Sequence, residues 1–326
     1  MKKSRFNIWL IAALISALPV LQACETSTGN YYFVGTGGFG LQTGLRSEAD
    51  DSTWYFHHHE DLPEIACADL AAGPDGKLQY LAFLHEGFPG NWLLTIRRGL
   101  GAEIWSTSYS GIAVPEIDQS SACVSPRITH LRDGLFAIAW VVEGSLHTAL
   151  FDSTKTPPED LVLTDTLPPS AFGATTARGI SIVYLDNRPW LVFSARSPSR
   201  ILVKLGTLDE NVLRFNAASF FFSHRHNSSS DALVHDDAIY VATTDDDTVY
   251  LHKRPRTSTA FEEVATCPGG DRIYNRLLYV DANGDMRVLR HNNSDLTSYL
   301  QNFTDCSTEV LTVATFEGHI TYFPLR

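Results

Sequence analysis

The sequence predicts an all-β protein in which one multi-stranded unit recurs along most of the chain. Six tight turns repeat, and each lies between two stretches rich in β-branched, aromatic or aliphatic residues. The turns lie at Asp75, Asp133, Asp186, Asp236, Asn283 and Glu317. A period of about fifty residues with several strands per unit is typical of the blades of a β-propeller. No long window shows helical periodicity, which disfavours α/β and helical-repeat folds.

Each unit is expected to form a four-stranded antiparallel blade. One apolar strand precedes the turn, a second follows it in stretches such as LFAIAWVV and LQYLAFL, and a third follows in stretches such as NWLLTIRR. The second strands are apolar on both faces, which predicts that neighbouring sheets cover them on both sides. A more polar fourth strand, such as AEIWSTSY, is expected at the rim. The sequence favours six blades, with seven blades as the alternative.

The last unit is too short to form a blade by itself. The residues after Glu317 suffice for only part of a sheet, and with the preceding stretch they give two strands rather than four. The upstream segments NYYFVGTG and TWYFHHHE have the right length and β character to complete it. Closing the ring in this way removes the sheet edges that an incomplete last blade would expose. We therefore predict a single propeller domain over residues 30–326.

The first 23 residues are typical of a secretory signal. Three positive charges precede an apolar run, Ile8–Val20, that is too short to span a bilayer as a mature helix. The run leads into LQAC, residues 21–24, which resembles the lipobox of bacterial lipoproteins. This resemblance implies a signal peptide over residues 1–23, acylation of Cys24, and a short lipidated tether over residues 24–29. Several acyl chains hold a protein on a membrane while its body stays in water.

The residue after Cys24 bears on the destination of the protein. Glu25 follows the cysteine, and lipoproteins without aspartate there usually reach the outer membrane, so the resemblance implies the outer membrane. Without acylation, the protein would be secreted or periplasmic. The formal net charge is −12, and removal of the basic signal makes the remaining chain more acidic. An acidic exported protein is a poor ligand for nucleic acid, so we predict no nucleic-acid partner, and no cofactor is indicated.

Four cysteines follow Cys24, namely Cys67, Cys123, Cys267 and Cys306. An even number in an exported protein predicts two disulfides, although four cysteines allow three connectivities. The first two lie at similar distances before the turns of adjacent blades, and the last two lie at the ends of blades four and five. We therefore predict the bonds Cys67–Cys123 and Cys267–Cys306. No pair has the short spacing of a zinc knuckle.

Two histidine clusters are candidate metal ligands. In WYFHHHED, His57 and His59 would project from one face of a strand and His58 from the other. His224 and His226 have the same spacing in FSHRHN. Neither cluster supplies a complete set of ligands, so solvated or hydrogen-bonded histidines on an outer strand are the preferred interpretation. We predict no metal site and retain these four histidines as the candidates.

Three further motifs have structural interpretations. GTGGFG, residues 35–40, matches the dinucleotide-binding fingerprint but lacks the helix that must follow it, so a strand or loop is expected. DANGD, residues 281–285, resembles the start of a calcium loop with a misplaced glycine, and a type I′ turn at Asn283 and Gly284 is expected instead. Asp245–Asp247 are expected at a polar hairpin tip, with calcium binding as the alternative.

No catalytic motif identifies an enzyme. The GxSxG and HExxH motifs are absent, and no constellation of catalytic residues is recognisable. The region from residue 64 to 326 is similar to divergent bacterial propellers, a resemblance that implies the fold and no activity. We predict a binding or scaffolding module for an envelope protein or a glycan. The alternative is a carbohydrate-active hydrolase or lyase, which two carboxylates and an arginine or histidine at the propeller axis would favour.

Overall fold

The structure is a computed structural model that describes most of the chain after residue 29. The described ranges are 30–37, 40–47, 50–58, 65–73, 78–88, 91–100, 104–114, 126–142, 144–157, 159–172, 176–196, 200–209, 212–222, 231–244, 248–269, 273–281, 284–292, 297–311 and 320–324. Within them the chain forms β-strands and one short 3₁₀ helix, Pro169–Phe172. None of these segments is a helix with the length and apolar character needed to cross a membrane.

The strands form six four-stranded antiparallel sheets, here called blades one to six. Blade one contains β4 (Ile65–Ala72), β5 (Leu78–Phe88), β6 (Asn91–Leu100) and β7 (Ile104–Val114). Blade two contains β8 (Arg127–Arg132), β9 (Leu135–Val142), β10 (Ser145–Asp152) and β11 (Leu161–Leu167). Blade three contains β12 (Thr176–Leu185), β13 (Arg188–Arg196), β14 (Arg200–Asp209) and β15 (Val212–Phe222).

The remaining blades complete the molecule. Blade four contains β16 (Asp231–His235), β17 (Ala238–Thr244), β18 (Thr248–Pro255) and β19 (Glu262–Pro268). Blade five contains β20 (Ile273–Val280), β21 (Met286–Asn292), β22 (Thr297–Asn302) and β23 (Thr308–Leu311). Blade six combines β24 (Ile320–Pro324) with β1 (Asn30–Gly37), β2 (Gly40–Ser47) and β3 (Asp50–His58).

The first strands of the blades form a closed ring. β4 contacts β8, β8 contacts β12, and the contacts continue through β16 and β20 to β24, which contacts β4. β24 therefore takes the innermost position of blade six, where Tyr31 of β1 pairs with Pro324 and Phe33 pairs with Tyr322. Pairing both ends of the chain in one sheet removes the open edges of the ring. The protein is a six-bladed β-propeller closed by N-terminal strands, as predicted.

The two chain ends contribute to blade six in a different proportion from the one expected. The described C-terminal residues supply one strand, β24, and the N-terminal region supplies three. β2 was not anticipated, because GLQTGLRS has neither strict alternation nor strong β propensity. It lies between β1 and β3 and forms backbone ladders with both. Cross-strand pairing thus determines its conformation more than its own composition does.

The hairpins between first and second strands follow the predicted turns in three blades. Two consecutive residues with positive φ form these turns, at Asp133–Gly134, Asp186–Asn187 and Asp236–Asp237, which is the type I′ geometry that matches strand twist. In blade five, the amide of Gly284, whose φ is 87°, donates to the carbonyl of Asp281 at 3.0 Å. Asn283 lies outside the described residues, so the type I′ turn at Asn283 and Gly284 stays a prediction.

The hydrophobic core lies between the faces of adjacent blades. Residues of β9 are almost all buried, and Trp140 and Phe136 are completely so. Tyr80 of blade one packs on Phe136 of blade two with ring centroids 4.4 Å apart. This burial on both faces agrees with the continuous apolar composition of the second strands.

One disulfide joins the outer parts of blades four and five. Cys267 of β19 and Cys306, just before β23, are bonded with their Cα atoms 5.3 Å apart. The predicted Cys267–Cys306 pairing is confirmed. Cys67 lies in β4 opposite Leu84 of β5, but Cys123 lies outside the described residues, so the Cys67–Cys123 bond stays a prediction. Cys24 and the segments 1–23 and 24–29 also lie outside them.

Candidate functional site

Four polar residues occupy equivalent positions on consecutive innermost strands. Each pairs with the fifth residue of the second strand of its blade, so the four lie at one level of the ring. The pairs are Asp69 with Ala82, Arg127 with Ala139, Ser181 with Val192, and Asp231 with Ala242. This set is called the axial network below. It places polar side chains from blades one to four around the propeller axis.

Hydrogen bonds in the axial network run from each blade to the next. Asp69 Oδ2 accepts the backbone N–H of Ile128 at 2.9 Å, and its Oδ1 lies 3.6 Å from Nη1 of Arg127. Nε of Arg127 donates to the carbonyl of Ile180 in blade three at 3.1 Å. The ion pair and its bonds therefore connect the inner strands of three blades.

The second half of the axial network centres on Asp231. Its Oδ1 accepts the hydroxyl of Ser181 at 2.6 Å, and its Oδ2 accepts the backbone N–H of Leu278 at 2.7 Å. Ser181 belongs to blade three and Leu278 to blade five, so one carboxylate connects three blades. Carboxylates that accept backbone amides in this way form strong, charge-assisted bonds.

Burial controls the electrostatics of the axial network. Burial raises the pKa of the Asp69 carboxyl to about 6, against the lowering effects of Arg127 and of two backbone hydrogen bonds, and the charge of Asp231 raises it further. Burial lowers the pKa of Arg127, but the charges of Asp231 and Asp69 outweigh burial and raise it overall. A carboxyl with a pKa near 6 can exchange protons at near-neutral pH.

The axial network has the composition expected of the enzymatic alternative, with two carboxylates and an arginine. However, Asp69 is 2% exposed and Asp231 is 5% exposed, and each accepts an amide from the next inner strand. These contacts therefore stabilise the fold by joining neighbouring blades. The same arrangement also keeps one carboxyl, Asp69, in a protonation equilibrium near neutrality.

A pocket of about 460 Å³ opens between blades three and four. Its wall combines two arginines, a carboxylate, a hydroxyl and two apolar side chains, from Asp186, Arg188, Trp190, Leu205, Arg254 and Thr259. Asp186 belongs to the turn between β12 and β13, so the pocket lies at the end of the propeller where these turns are found. It borders the apolar interface that buries Val192 against Ile239.

Arg254 and Trp190 form the most buried part of this pocket. The guanidinium carbon of Arg254 lies 4.2 Å from the centroid of the Trp190 ring, a distance suited to a cation–π interaction. The ring nitrogen of Trp190 donates to the carbonyl of Leu185 at 3.4 Å. Burial lowers the pKa of Arg254, while the charge of Asp186 opposes this effect. The tryptophan thus orients the arginine from the neighbouring blade.

An ion pair organises the rim of the pocket. Arg256 pairs through Nε with the carboxylate of Asp186, and its Nη1 lies 3.7 Å from Asp237 in the next turn. The backbone N–H of Arg256 donates to the carbonyl of Asp237 at 2.9 Å. Arg256 thereby connects the turns of blades three and four beside the pocket. These residues are half-exposed or exposed, so the rim is open to solvent.

Of the four candidate metal-binding histidines, the described residues include His57. His57 lies in β3, the outermost strand of blade six, opposite Thr43. His59, His224 and His226 fall outside the described ranges, as do Asp245–Asp247. Across the part of the chain that the structure describes, no group of three or more histidines, cysteines, aspartates or glutamates is placed to hold a metal ion.

The calcium-like motif forms bonds within the protein. Asp281 accepts the amide of Asp285 at 2.9 Å and Nε of Arg287 at 2.6 Å. The Asp285 carboxylate accepts Asn302 Nδ2 at 3.1 Å and the hydroxyl of Thr304 at 3.0 Å. These carboxylates therefore stabilise the loop between β20 and β21. GTGGFG spans the hairpin between β1 and β2, where Gly37 pairs with Gly40.

The axial network and Arg254 were not predicted from the sequence. A signal for the network was present, because ADLAA, PRITH and DALVH each place one charged residue in an otherwise mainly apolar inner strand. Its meaning depends on register between blades, which the turns alone do not fix. No comparable signal marks Arg254, which follows a lysine near the end of β18.

No protein-family model matches the sequence, and comparison with curated proteins gives no match. Solved structures are similar in fold. A functionally unknown protein from Desulfotomaculum acetoxidans has a TM-score of 0.58 at 12% identity, with 89% of this chain and 84% of that chain covered. An Aleuria aurantia lectin variant in complex with α-methyl-L-fucoside has a TM-score of 0.50 at 12% identity, with 87% of this chain and 94% of that chain covered. A putative 6-phosphogluconolactonase from Bacteroides uniformis has a TM-score of 0.50 at 12% identity, with 91% of this chain and 100% of that chain covered. These similarities show the fold alone.

Proposed function

We propose that the protein is a lipid-anchored binding module of the bacterial cell envelope that holds an envelope protein or a glycan. One observation carries the proposal, the solvent-open pocket of about 460 Å³ between blades three and four. Its wall mixes charged, hydroxyl and apolar groups, as ligand sites commonly do. A propeller that holds a sugar occurs among the structural neighbours, the lectin in complex with α-methyl-L-fucoside, so the fold is compatible with this role.

Recognition by loops and turns on a rigid scaffold suits this architecture. The pocket residues come from two blades that share a packed interface, so their relative positions are fixed by the core. The carboxylates of the axial network accept hydrogen bonds from their neighbours. A binding role uses a pocket that is open to solvent, whereas an axial reaction would need buried carboxylates that already accept hydrogen bonds from neighbouring blades.

Anchoring through Cys24 is the second part of the proposal, and it rests on the lipobox-like LQAC segment. We expect the protein to fractionate with the outer membrane. The Cys24→Ala variant should move to the soluble periplasmic or secreted fraction, with Thr26→Ala as the matched control that stays on the membrane. Mass spectrometry of the N-terminal peptide should show the acyl chains. A Cys24→Ala variant that still sediments with membranes would contradict lipid anchoring.

Binding is tested by two complementary screens of the full-length protein. Pull-down from detergent-solubilised envelope reports a protein partner, and a glycan array reports a sugar ligand. Arg188→Ala, at an exposed position in the pocket, should weaken capture. Arg214→Ala, at an exposed position on β15, is the matched control and should leave it unchanged. Equal loss of capture in both variants would count against the pocket, and no capture in either screen would count against a binding role.

A carbohydrate-active hydrolase or lyase is the second candidate, favoured by one observation. Asp69, whose pKa burial raises to about 6, lies with Arg127 and Asp231 on the innermost strands. Incubation with a panel of polysaccharides, followed by a reducing-end and unsaturated-product assay, tests this candidate. An activity that Asp69→Asn and Asp231→Asn both abolish, in variants that remain folded, would establish axial catalysis. Turnover that persists in both folded variants would refute it.

A further inference from the structure

We propose that the pocket between blades three and four binds a carboxylate-bearing sugar of the uronic acid class through Arg254. This inference rests on the binding role proposed above and names the ligand class of the same site.

The guanidinium of Arg254 has buried donors that the described part of the protein does not satisfy. Its Nε and Nη1 have no hydrogen-bond partner among the described residues, although the residue is only 8% exposed and lines the pocket. The Trp190 ring, 4.2 Å away, compensates part of the lost hydration but accepts no conventional hydrogen bond. Buried donors without acceptors are rare in proteins. Both atoms are also closed to solvent, so the guanidinium must turn toward the pocket for a ligand to supply the acceptor.

The charges around the pocket favour a singly charged anion. Arg188 is a second cation in the wall. Asp186, the carboxylate among the described lining residues, is engaged in its ion pair with Arg256. A planar carboxylate matches the guanidinium fork bidentately. A phosphate monoester would bring additional negative charge close to Asp186, so a carboxylate is the better match.

The rest of the wall suits a sugar ring rather than a simple acid. The carboxylate of Asp186 retains a side-chain exposure of 29%, and it can accept ligand hydroxyl groups. Thr259 offers an exposed hydroxyl, and Leu205 offers an apolar surface for ring C–H groups. A volume of about 460 Å³ accommodates roughly one or two pyranose rings. Trp190 is 4% exposed, so its role is to hold Arg254 and not to stack on the ligand.

The test is isothermal titration of full-length protein, purified in detergent, with digalacturonate and with its methyl ester. The ester keeps the ring and hydroxyl groups but lacks the charge. We expect digalacturonate to bind saturably and the ester to bind at least ten-fold more weakly. Arg254→Met, which keeps side-chain length without the charge, should weaken digalacturonate binding at least ten-fold. Lys253→Met changes the adjacent cation, which lies over Tyr240, and should leave the affinity unchanged.

Several results would overturn the inference. These are equal affinity for the acid and its ester, unchanged affinity in folded Arg254→Met, and stronger binding of inorganic phosphate than of digalacturonate. If Arg254→Met does not fold, the exposed Arg188→Met variant replaces it in the test. The inference then requires that Arg188→Met bind digalacturonate several-fold more weakly than the wild type.

The outcomes also separate this inference from the proposed function. If the protein captures a neutral glycan or an envelope protein and does not prefer digalacturonate to its ester, the binding role stands and the uronate assignment is refuted. If it captures nothing in either screen and does not bind digalacturonate, both proposals are refuted.

Discussion

Asp69 should make the stability of the propeller depend on pH in a direction opposite to that of most carboxylates. Burial raises its pKa from 3.8 to about 6, so the folded protein binds this proton more tightly than the unfolded chain does. Stability from this group is therefore gained as the pH falls through 6 toward 3.8, and it is lost above 6. A difference of about 2 pKa units between the folded and unfolded states changes the free energy of unfolding by about 3 kcal/mol at most.

The Asp69→Asn variant isolates this effect. Asparagine keeps an oxygen that can accept the N–H of Ile128, but it does not titrate. The free energy of unfolding of Asp69→Asn, minus that of the wild type, should therefore rise with pH. Of the full effect, about 1.5 kcal/mol should appear between pH 5 and pH 8. Urea denaturation followed by tryptophan fluorescence at several pH values measures this difference.

Asp209→Asn is the matched control, because Asp209 is an exposed carboxylate at the end of β14. Its curve should stay parallel to that of the wild type between pH 5 and pH 8. A constant difference between Asp69→Asn and the wild type over this range would refute the raised pKa. A difference that falls with rising pH would show that the Arg127 ion pair outweighs burial.

Four further variants test packing and covalent restraint by urea denaturation. Replacement of Cys267 and Cys306 by alanine should cost about 4 kcal/mol by loop-closure entropy, and an unchanged midpoint would contradict the bond, which spans 39 positions. Gly206→Ala should destabilise by about 1–3 kcal/mol, because an added Cβ would approach neighbouring side chains to 2.7 and 2.9 Å. Gly284→Ala, which meets no atom within 4 Å, should cost less, through its positive φ alone. Trp140→Ala should cost about 3–5 kcal/mol, since the side chain is fully buried.

Local patterns in the sequence were sufficient for the fold. The Asp-containing turns place successive strands, and positive φ values at Asp133–Gly134 and Asp186–Asn187 agree with type I′ hairpins. The short last unit and the surplus β segments at the N-terminus led to ring closure. The Cys267–Cys306 bond followed from blade junctions alone, because the ends of adjacent blades are neighbours in space.

Contacts between blades were not predictable from these patterns. The approach of Ser181 to Asp231, and of Asp69 to the amide of Ile128, depends on the register of inner strands that are not hydrogen-bonded in one sheet. Irregularities such as the bulge between Arg178 and Ile180 in the inner strand β12 shift that register. Arg254 reaches Trp190 across a blade boundary, so a pattern confined to one repeat cannot reveal the pair.

The position of β24 has a consequence for biogenesis. Five blades are encoded by contiguous stretches and can assemble while the polypeptide is still emerging, but blade six must wait for Ile320–Pro324. A premature stop codon, or a protease that trims this short tail, would remove the innermost strand of blade six and open the ring. Copies damaged in this way would display the unpaired edge of β1, and such edges invite aggregation. Proteases that digest unfolded chains should therefore distinguish full-length from clipped molecules sharply.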